Sequence, residues 1–197
     1  MKKIILKDKD KTFKPFISTP TIEETTRRIA ARLNEKFKHE TEPVIFVTVL
    51  NGAVPFAASL FTKLKFPVIF DTIKVSSYQG TKSTGELRRT KPLDNDVRGK
   101  KVIIAEDIVD TGLTTDYLRG FLKRIGAVDV TIVSLLFKLE VYKERHPEFS
   151  HWKFLSGSYD NDMMMGIVIG NEFVVGYGLD YDGLGRNLNK IYVLDSK

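Results

Sequence analysis

The feature that most narrows the fold of this 197-residue chain is a series of apolar, β-branched runs that do not alternate with polar residues. Val44-Ile-Phe-Val-Thr-Val-Leu50 follows Pro43 and stops at Asn51-Gly52. A strand with one wet face would alternate, so a run like this suits a strand covered on both faces. Residues 67–75, 102–105 and 128–137 supply three more strands. Helical stretches lie between them. Ile22, Ile29, Ala30, Leu33 and Phe37 form a stripe to about residue 38, opened by Thr21 and Glu24 in a capping-box spacing. Residues 53–65 suit a helix. Residues 114–125 put Tyr117, Leu118, Phe121, Leu122 and Ile125 on one face, with Gly126 as the stop. Alternating strands and helices predict an α/β chain, an open and mostly parallel twisted sheet flanked by helices. Its ligands are expected at the carboxyl ends of the strands.

At this length one substantial core is expected and two are not, with the core at about 21–140. Pro15 and Pro20 mark an irregular N-terminal arm. Residues 173–180 and 191–195 are strand-like with no clear helix between them. A small antiparallel hood from about 1–20 and 165–197 is therefore expected beside the main sheet. Residues 76–95 are polar and rich in Ser, Thr, Gly and Lys, the composition of a disordered segment or a functional lid. Residues 142–170 match no pattern; Trp152, Phe154, Leu155 and Met163-Met-Met165 suggest packing or a subunit contact.

The absence of cysteine excludes disulfides, thiolate metal sites and cysteine nucleophiles. The start, Met1-Lys-Lys-Ile-Ile-Leu-Lys-Asp8, is too polar for a secretory signal, and no run approaches a membrane span, so a cytoplasmic protein is expected. A net charge of +6 suits polyanionic ligands. The Lys and Arg residues are scattered, which argues for phosphorylated metabolites over nucleic acid.

One junction carries the chemistry. In Val102-Ile-Ile-Ala-Glu-Asp-Ile-Val-Asp-Thr-Gly-Leu-Thr-Thr115 a buried strand runs into acids, then a Thr-Gly turn, then a helix start. Amides from Asp110 to Thr114 would crowd at a helix N-terminus, where unpaired N–H donors and the helix dipole favour a phosphate. Gly112 would allow close approach, and Thr111, Thr114 and Thr115 add hydroxyl donors. Glu106 and Asp107 repel phosphate but accept hydrogen bonds from sugar hydroxyls. The junction is thus complementary to a ribose 5-phosphate. The same residues would also serve as an acidic helix cap, with Asp110 as N-cap.

Residues 102–115 resemble the phosphoribosyl pyrophosphate signature of the type I phosphoribosyltransferases, and Glu106-Asp-Ile-Val-Asp-Thr-Gly112 resembles the hypoxanthine-guanine enzymes in particular. Further similarities follow in order: Leu50-Asn-Gly-Ala53, Ser76-Ser-Tyr78, Ser83-Thr-Gly85, Ser134-Leu-Leu-Phe-Lys138, Phe173-Val-Val-Gly-Tyr-Gly-Leu-Asp-Tyr181 and Arg186. The resemblance implies transfer of phosphoribose from phosphoribosyl pyrophosphate to hypoxanthine or guanine, with release of pyrophosphate. It implies that Glu106 and Asp107 hold the ribose hydroxyls and that Asp110, Thr111, Gly112, Leu113, Thr114 and Thr115 cradle the 5′-phosphate. Asp110 would also manage the proton near purine N7. Lys138 would donate to the purine O6, Phe173 would stack on the base, and the Val174 backbone would read the ring edge.

The resemblance also implies a Mg²⁺ cofactor on Asp180, with Glu106 and Asp107 as further candidate ligands, and a pyrophosphate clamp from Arg186. Leu50, Asn51 and Gly52 would offer amides to pyrophosphate from a loop that often holds a cis peptide; relatives commonly carry Lys where this chain has Asn51. Ser77 and Tyr78 would root a mobile lid. His39, His146 and His151 match no motif. A homodimer or homotetramer is implied by analogy. Two alternatives stay open: a nucleotide-sensing RNA- or DNA-binding regulator of the same fold, and an enzyme for adenine or xanthine.

Overall fold

In the computed structural model, residues 3–6, 11–77, 87–149 and 162–195 are described. Among these described residues, ten strands, four α-helices and one 3₁₀ turn run in the order β1 (Ile4–Leu6), β2 (Lys11–Ile17), α1 (Thr19–Lys36), β3 (Val44–Leu50), α2 (Val54–Phe61), β4 (Val68–Ser77), β5 (Leu87–Lys91), β6 (Lys101–Val109), α3 (Leu113–Arg124), β7 (Asp129–Phe137), α4 (Leu139–Arg145), a 3₁₀ turn (Pro147–Phe149), β8 (Met163–Val168), β9 (Val174–Val175) and β10 (Ile191–Leu194).

The main sheet has the order β5-β4-β3-β6-β7-β8. Every pairing is parallel except that of β5 with β4. Strand parity sends alternate residues to opposite faces. Val44, Phe46, Ile103, Ala105 and Val133 pack with α1 and α2 residues such as Ile22, Leu33, Phe56 and Leu60. Ile45, Val47, Val102, Ile104 and Ile132 pack with α3 and α4 residues such as Leu118, Phe121, Leu122 and Tyr142. Each central strand is therefore buried on both faces, which is why its sequence shows no polar alternation. No helix among the described residues is long and apolar enough to cross a membrane.

A second, antiparallel sheet has the order β1-β2-β10-β9. It corrects three expectations. The N-terminal arm is not irregular, because β2 carries Pro15 within a strand. There β1 covers β2 only from Lys11 to Phe13, and the register of β10 shifts between Ile191 and Tyr192, opposite Ile17 and Pro15. A residue without an N–H is tolerated where the ladder is incomplete or bulged. The hood also begins later than residue 165, since residues 163–168 are strand β8 of the main sheet. Finally, α1 starts at Thr19 rather than Thr21: Ser18 is its N-cap, accepting from the Thr21 N–H at 3.3 Å, and Pro20 sits in the first turn.

Candidate active site

The carboxyl ends of β3, β6 and β7 converge on one edge of the sheet, and the loop after β9 folds over it. Strand β6 continues past its apolar run through Glu106 and Asp107 to Val109. Adjacent strand residues point to opposite faces, so the two acids part company. Glu106 faces the α3 side and, with residues 108–115, lines a cavity of about 190 Å³. That is below the roughly 300–1,000 Å³ of sites for drug-sized ligands, so the cavity is the size of a subsite. Asp107 faces the other way, against Gly52: a Cβ on that glycine would fall 1.7 Å from Asp107 Oδ2.

Burial raises the Glu106 carboxyl well above the usual carboxylate range, and the neighbouring Asp107 charge adds to the effect. Burial likewise pushes Asp107 up to about 6; the Asp180 charge reinforces this, while the Ile108 N–H and Arg186 oppose it. Two carboxyl groups raised by burial suit a ligand that donates hydrogen bonds or positive charge.

The turn after β6 ends in Gly112, the N-cap of α3, in the left-handed region with φ 81° and no side-chain cap. This sets aside the alternative of Asp110 as an N-cap, and α3 starts at Leu113, one residue before the expected Thr114. A left-handed cap without a side-chain acceptor leaves the first-turn N–H groups facing the cavity. The hydroxyl of Thr115 is turned inward, donating to the Gly112 carbonyl at 2.9 Å. Thr111 accepts from the Leu113 N–H at 3.4 Å, and Thr114 lines the cavity.

Lys138 follows β7 directly, at the N-cap of α4, and is buried, a position a lysine reaches only with partners. Its Nζ donates to Asp110 Oδ2 at 2.8 Å and to Asn171 Oδ1 at 3.2 Å. Asn171 was not singled out from sequence; only its place in a turn, two residues before Phe173, hints at it. Phe173 is 47% exposed, so it is not the core aromatic that its apolar run would suggest. Its ring meets Tyr181 edge-on at 5.9 Å and Phe13 at 6.3 Å, which leaves a face open. Val174 is buried in β9.

On the far side, Arg186 binds Asp180 at 2.6 Å and donates to the Gly178 carbonyl at 2.7 Å. Asp180 also accepts from the Gly183 N–H at 2.6 Å. The Leu50–Asn51 peptide is cis. Gly178, at φ 103°, packs so tightly on this loop that a Cβ would lie 1.9 Å from the Gly52 carbonyl oxygen. The structure thus groups Leu50, Asn51, Gly52, Asp107, Asp180 and Arg186 on one side and the cavity, Asp110 and Lys138 on the other, while the Phe173 ring packs on Tyr181 and Phe13. Ser77 ends β4, but its side chain and all of Tyr78 lie outside the described residues, as does the Ser83-Thr-Gly85 segment.

The segment that resisted sequence reading supports the site from behind. Helix α4 sets the rings of Tyr142 and His146 directly under Gly112, and β8 buries Met163, Met164 and Met165 at the sheet edge.

Residues 17–182 match the phosphoribosyl transferase domain family. The chain is 37% identical over 183 residues to a hypoxanthine-guanine phosphoribosyltransferase of Lactococcus lactis subsp. lactis (strain IL1403), covering 92% of this chain and 90% of that protein. A Mycobacterium avium protein of the same description is 34% identical over 177 residues, covering 89% and 80%. A solved hypoxanthine-guanine phosphoribosyltransferase from Bacillus anthracis str. 'Ames Ancestor' aligns with a TM-score of 0.76 at 32% identity, across 92% of this chain and 98% of that one.

Proposed function

The chain belongs to the phosphoribosyl transferase domain family, and from that premise we propose that it is a hypoxanthine-guanine phosphoribosyltransferase of purine salvage. It joins the phosphoribosyl group of phosphoribosyl pyrophosphate to hypoxanthine or guanine. The observation that carries this reading is the pairing of Lys138 Nζ with Asp110 Oδ2 at 2.8 Å, beside the cavity that Asp110 lines with the turn at Gly112.

A 6-oxopurine stacked on Phe173 offers an acceptor at O6 to Lys138, whereas adenine would oppose a donor with a donor. When Lys138 turns to O6, Asp110 is released to manage the proton at N7. Residues 110–115 hold the 5′-phosphate in the cavity, with Glu106 at the ribose beside it. Asp107, backed by Gly52, takes the opposite edge of the sugar. Arg186 leaves Asp180 to bind the departing pyrophosphate, aided by the amides of residues 50–52.

The donor set fits Mg²⁺. Asp180 and Asp107 offer hard carboxylate oxygens, and among the described residues no cluster of three or more His, Cys, Asp or Glu would cage a metal alone. Mg²⁺ takes one or two carboxylates and completes its shell from water and substrate phosphates. When bound, it would neutralise charge on the leaving group. Glu106, on the other face of β6, is the least suited of the three acids. Ser77 and Tyr78 remain the proposed root of a lid that excludes water. A homodimer or homotetramer is supported by Ile69 and Phe70, exposed on the half of β4 without a β5 partner. A cytoplasmic location accords with the absence of cysteine and with phosphorylated substrates.

The test is pyrophosphate release with the phosphoribosyl donor, Mg²⁺ and each of adenine, hypoxanthine, guanine and xanthine. Turnover confined to the 6-oxopurines hypoxanthine and guanine is expected. Turnover with adenine, or salt-sensitive RNA binding without turnover, would overturn the reading.

A further inference from the structure

We propose that His146 is a positioning residue for the 5′-phosphate, because its ring forms, with Tyr142, a shelf that holds the Gly112 turn in its anion-facing conformation. The inference rests on reading that turn as the phosphate site.

Gly112 has no side-chain cap; its carbonyl accepts from the Asp116 N–H at 2.9 Å and the Thr115 hydroxyl at 2.9 Å, and a long bond of 3.4 Å from the Leu113 N–H to the Thr111 hydroxyl spans it. Its restraint comes from behind. A Cβ on Gly112 would fall 2.6 Å from Tyr142 Cε2 and 2.9 Å from His146 Nε2, so these rings fill the space beneath it. Tyr142 on α4 and His146 at its C-cap, four residues on, stack at 4.1 Å and 19°. Tyr142 is fixed in turn by Phe137 at 5.2 Å and Phe149 at 5.9 Å. The His146 side chain is only 13% exposed.

The charges around the ring act on the same first turn of α3. His146 Nε2 lies 3.1 Å from Asp116 Oδ2, although its N–H is off line for a full hydrogen bond. Arg145 Nε approaches the same oxygen at 3.8 Å, and Glu148 lies 3.5 Å from His146 Nδ1. Ring contact with Gly112 is therefore the stronger link. A phosphate needs several N–H groups aligned at once, and a turn free to sink backward would lose that alignment. The shelf blocks the retreat.

The experiment compares the full chain with His146→Ala, His146→Phe and His146→Gln. Calorimetry measures binding of GMP and of guanosine, which lacks the phosphate; steady-state kinetics give KM for donor and base; thermal melting monitors folding. In His146→Ala, GMP affinity falls and donor KM rises by about tenfold, while guanosine affinity and base KM stay within about twofold. His146→Phe keeps the ring and stays within about threefold of the parent for GMP, whereas His146→Gln keeps a donor to Asp116 and behaves like alanine. Unchanged GMP binding in His146→Ala, equal losses for GMP and guanosine, or rescue by Gln rather than Phe would overturn the inference. If the parent chain itself binds GMP no better than guanosine, the phosphate-site reading fails first. If His146→Ala does not fold, the Phe and Gln variants decide on the same criteria.

Discussion

Replacing Asp107 with Asn should make the ligand-free protein more stable at neutral pH while removing activity. Asp107 titrates near 6 in the folded chain against an ordinary 3.8, chiefly because it is buried. A carboxyl raised on folding binds its proton more tightly in the native state, so its contribution to stability is fully present below 3.8 and is lost as pH rises through about 6. At about 1.4 kcal/mol per pH unit, the ionised group costs the native state up to about 3 kcal/mol at pH 7. Asn keeps the shape and the oxygen that accepts from the Ile108 N–H at 2.8 Å, but carries no charge. Urea denaturation in the presence of EDTA, at pH steps from 4 to 8, measures the difference directly. The two proteins should coincide near pH 4, and the variant should pull ahead between pH 4 and 6 to a plateau of about 2–3 kcal/mol. A variant equally or less stable at pH 7, or a gap that does not change with pH, would refute the reasoning.

Lys138→Ala should raise base KM by at least about tenfold with little change in donor KM, because one charged donor to O6 is lost; equal losses would remove its assigned role. Gly178→Ala places a methyl 1.9 Å from the Gly52 carbonyl oxygen at a φ of 103°. It should cost about 2 kcal/mol or more in a melt and raise donor KM more than base KM. Asp71→Ala strands the Thr72, Asp94 and Asn95 N–H groups and the Asn95 amide, all donors to this buried carboxylate, and should cost about 3–5 kcal/mol. Burial raises the Asp71 carboxyl but those hydrogen bonds, the Asn95 amide first, outweigh it and lower it overall. Its stabilisation is therefore present above 3.8 and lost as pH falls through its lower native value, so Asp71→Ala should lose that acid-side slope in the same titration.

What the sequence disclosed follows from where its signals are local. Strand β3 could be read to both ends because burial on two faces demands an unbroken β-branched run between Pro43 and Asn51. The stop at Gly126 was equally plain, since its φ of 101° suits glycine. Strand β2 stayed hidden because β10, its partner on the side away from β1, lies about 180 residues along the chain and Pro15 argues locally against a strand. At α1 the Thr21–Glu24 spacing put the start two residues late: Ser18 is the cap, because proline is harmless in a helix's first turn. At the site, residue identities were legible but their sides were not. Nothing local says that β6 runs on through Glu106 and Asp107, that Glu106 is buried, or that Lys138 reaches Asn171. Those facts depend on which neighbours the fold supplies.

On the proposed assignment, the salt links Lys138–Asp110 and Arg186–Asp180 would make substrates arrive by exchange rather than by filling an empty electrostatic trap. A stray anion such as inorganic phosphate must part a cation from its internal counter-ion and offers nothing to the abandoned carboxylate. A purine would serve both members of the first link, and a metal-loaded pyrophosphate both members of the second. Such a site would surrender some affinity for its ligands in exchange for rejecting simple anions.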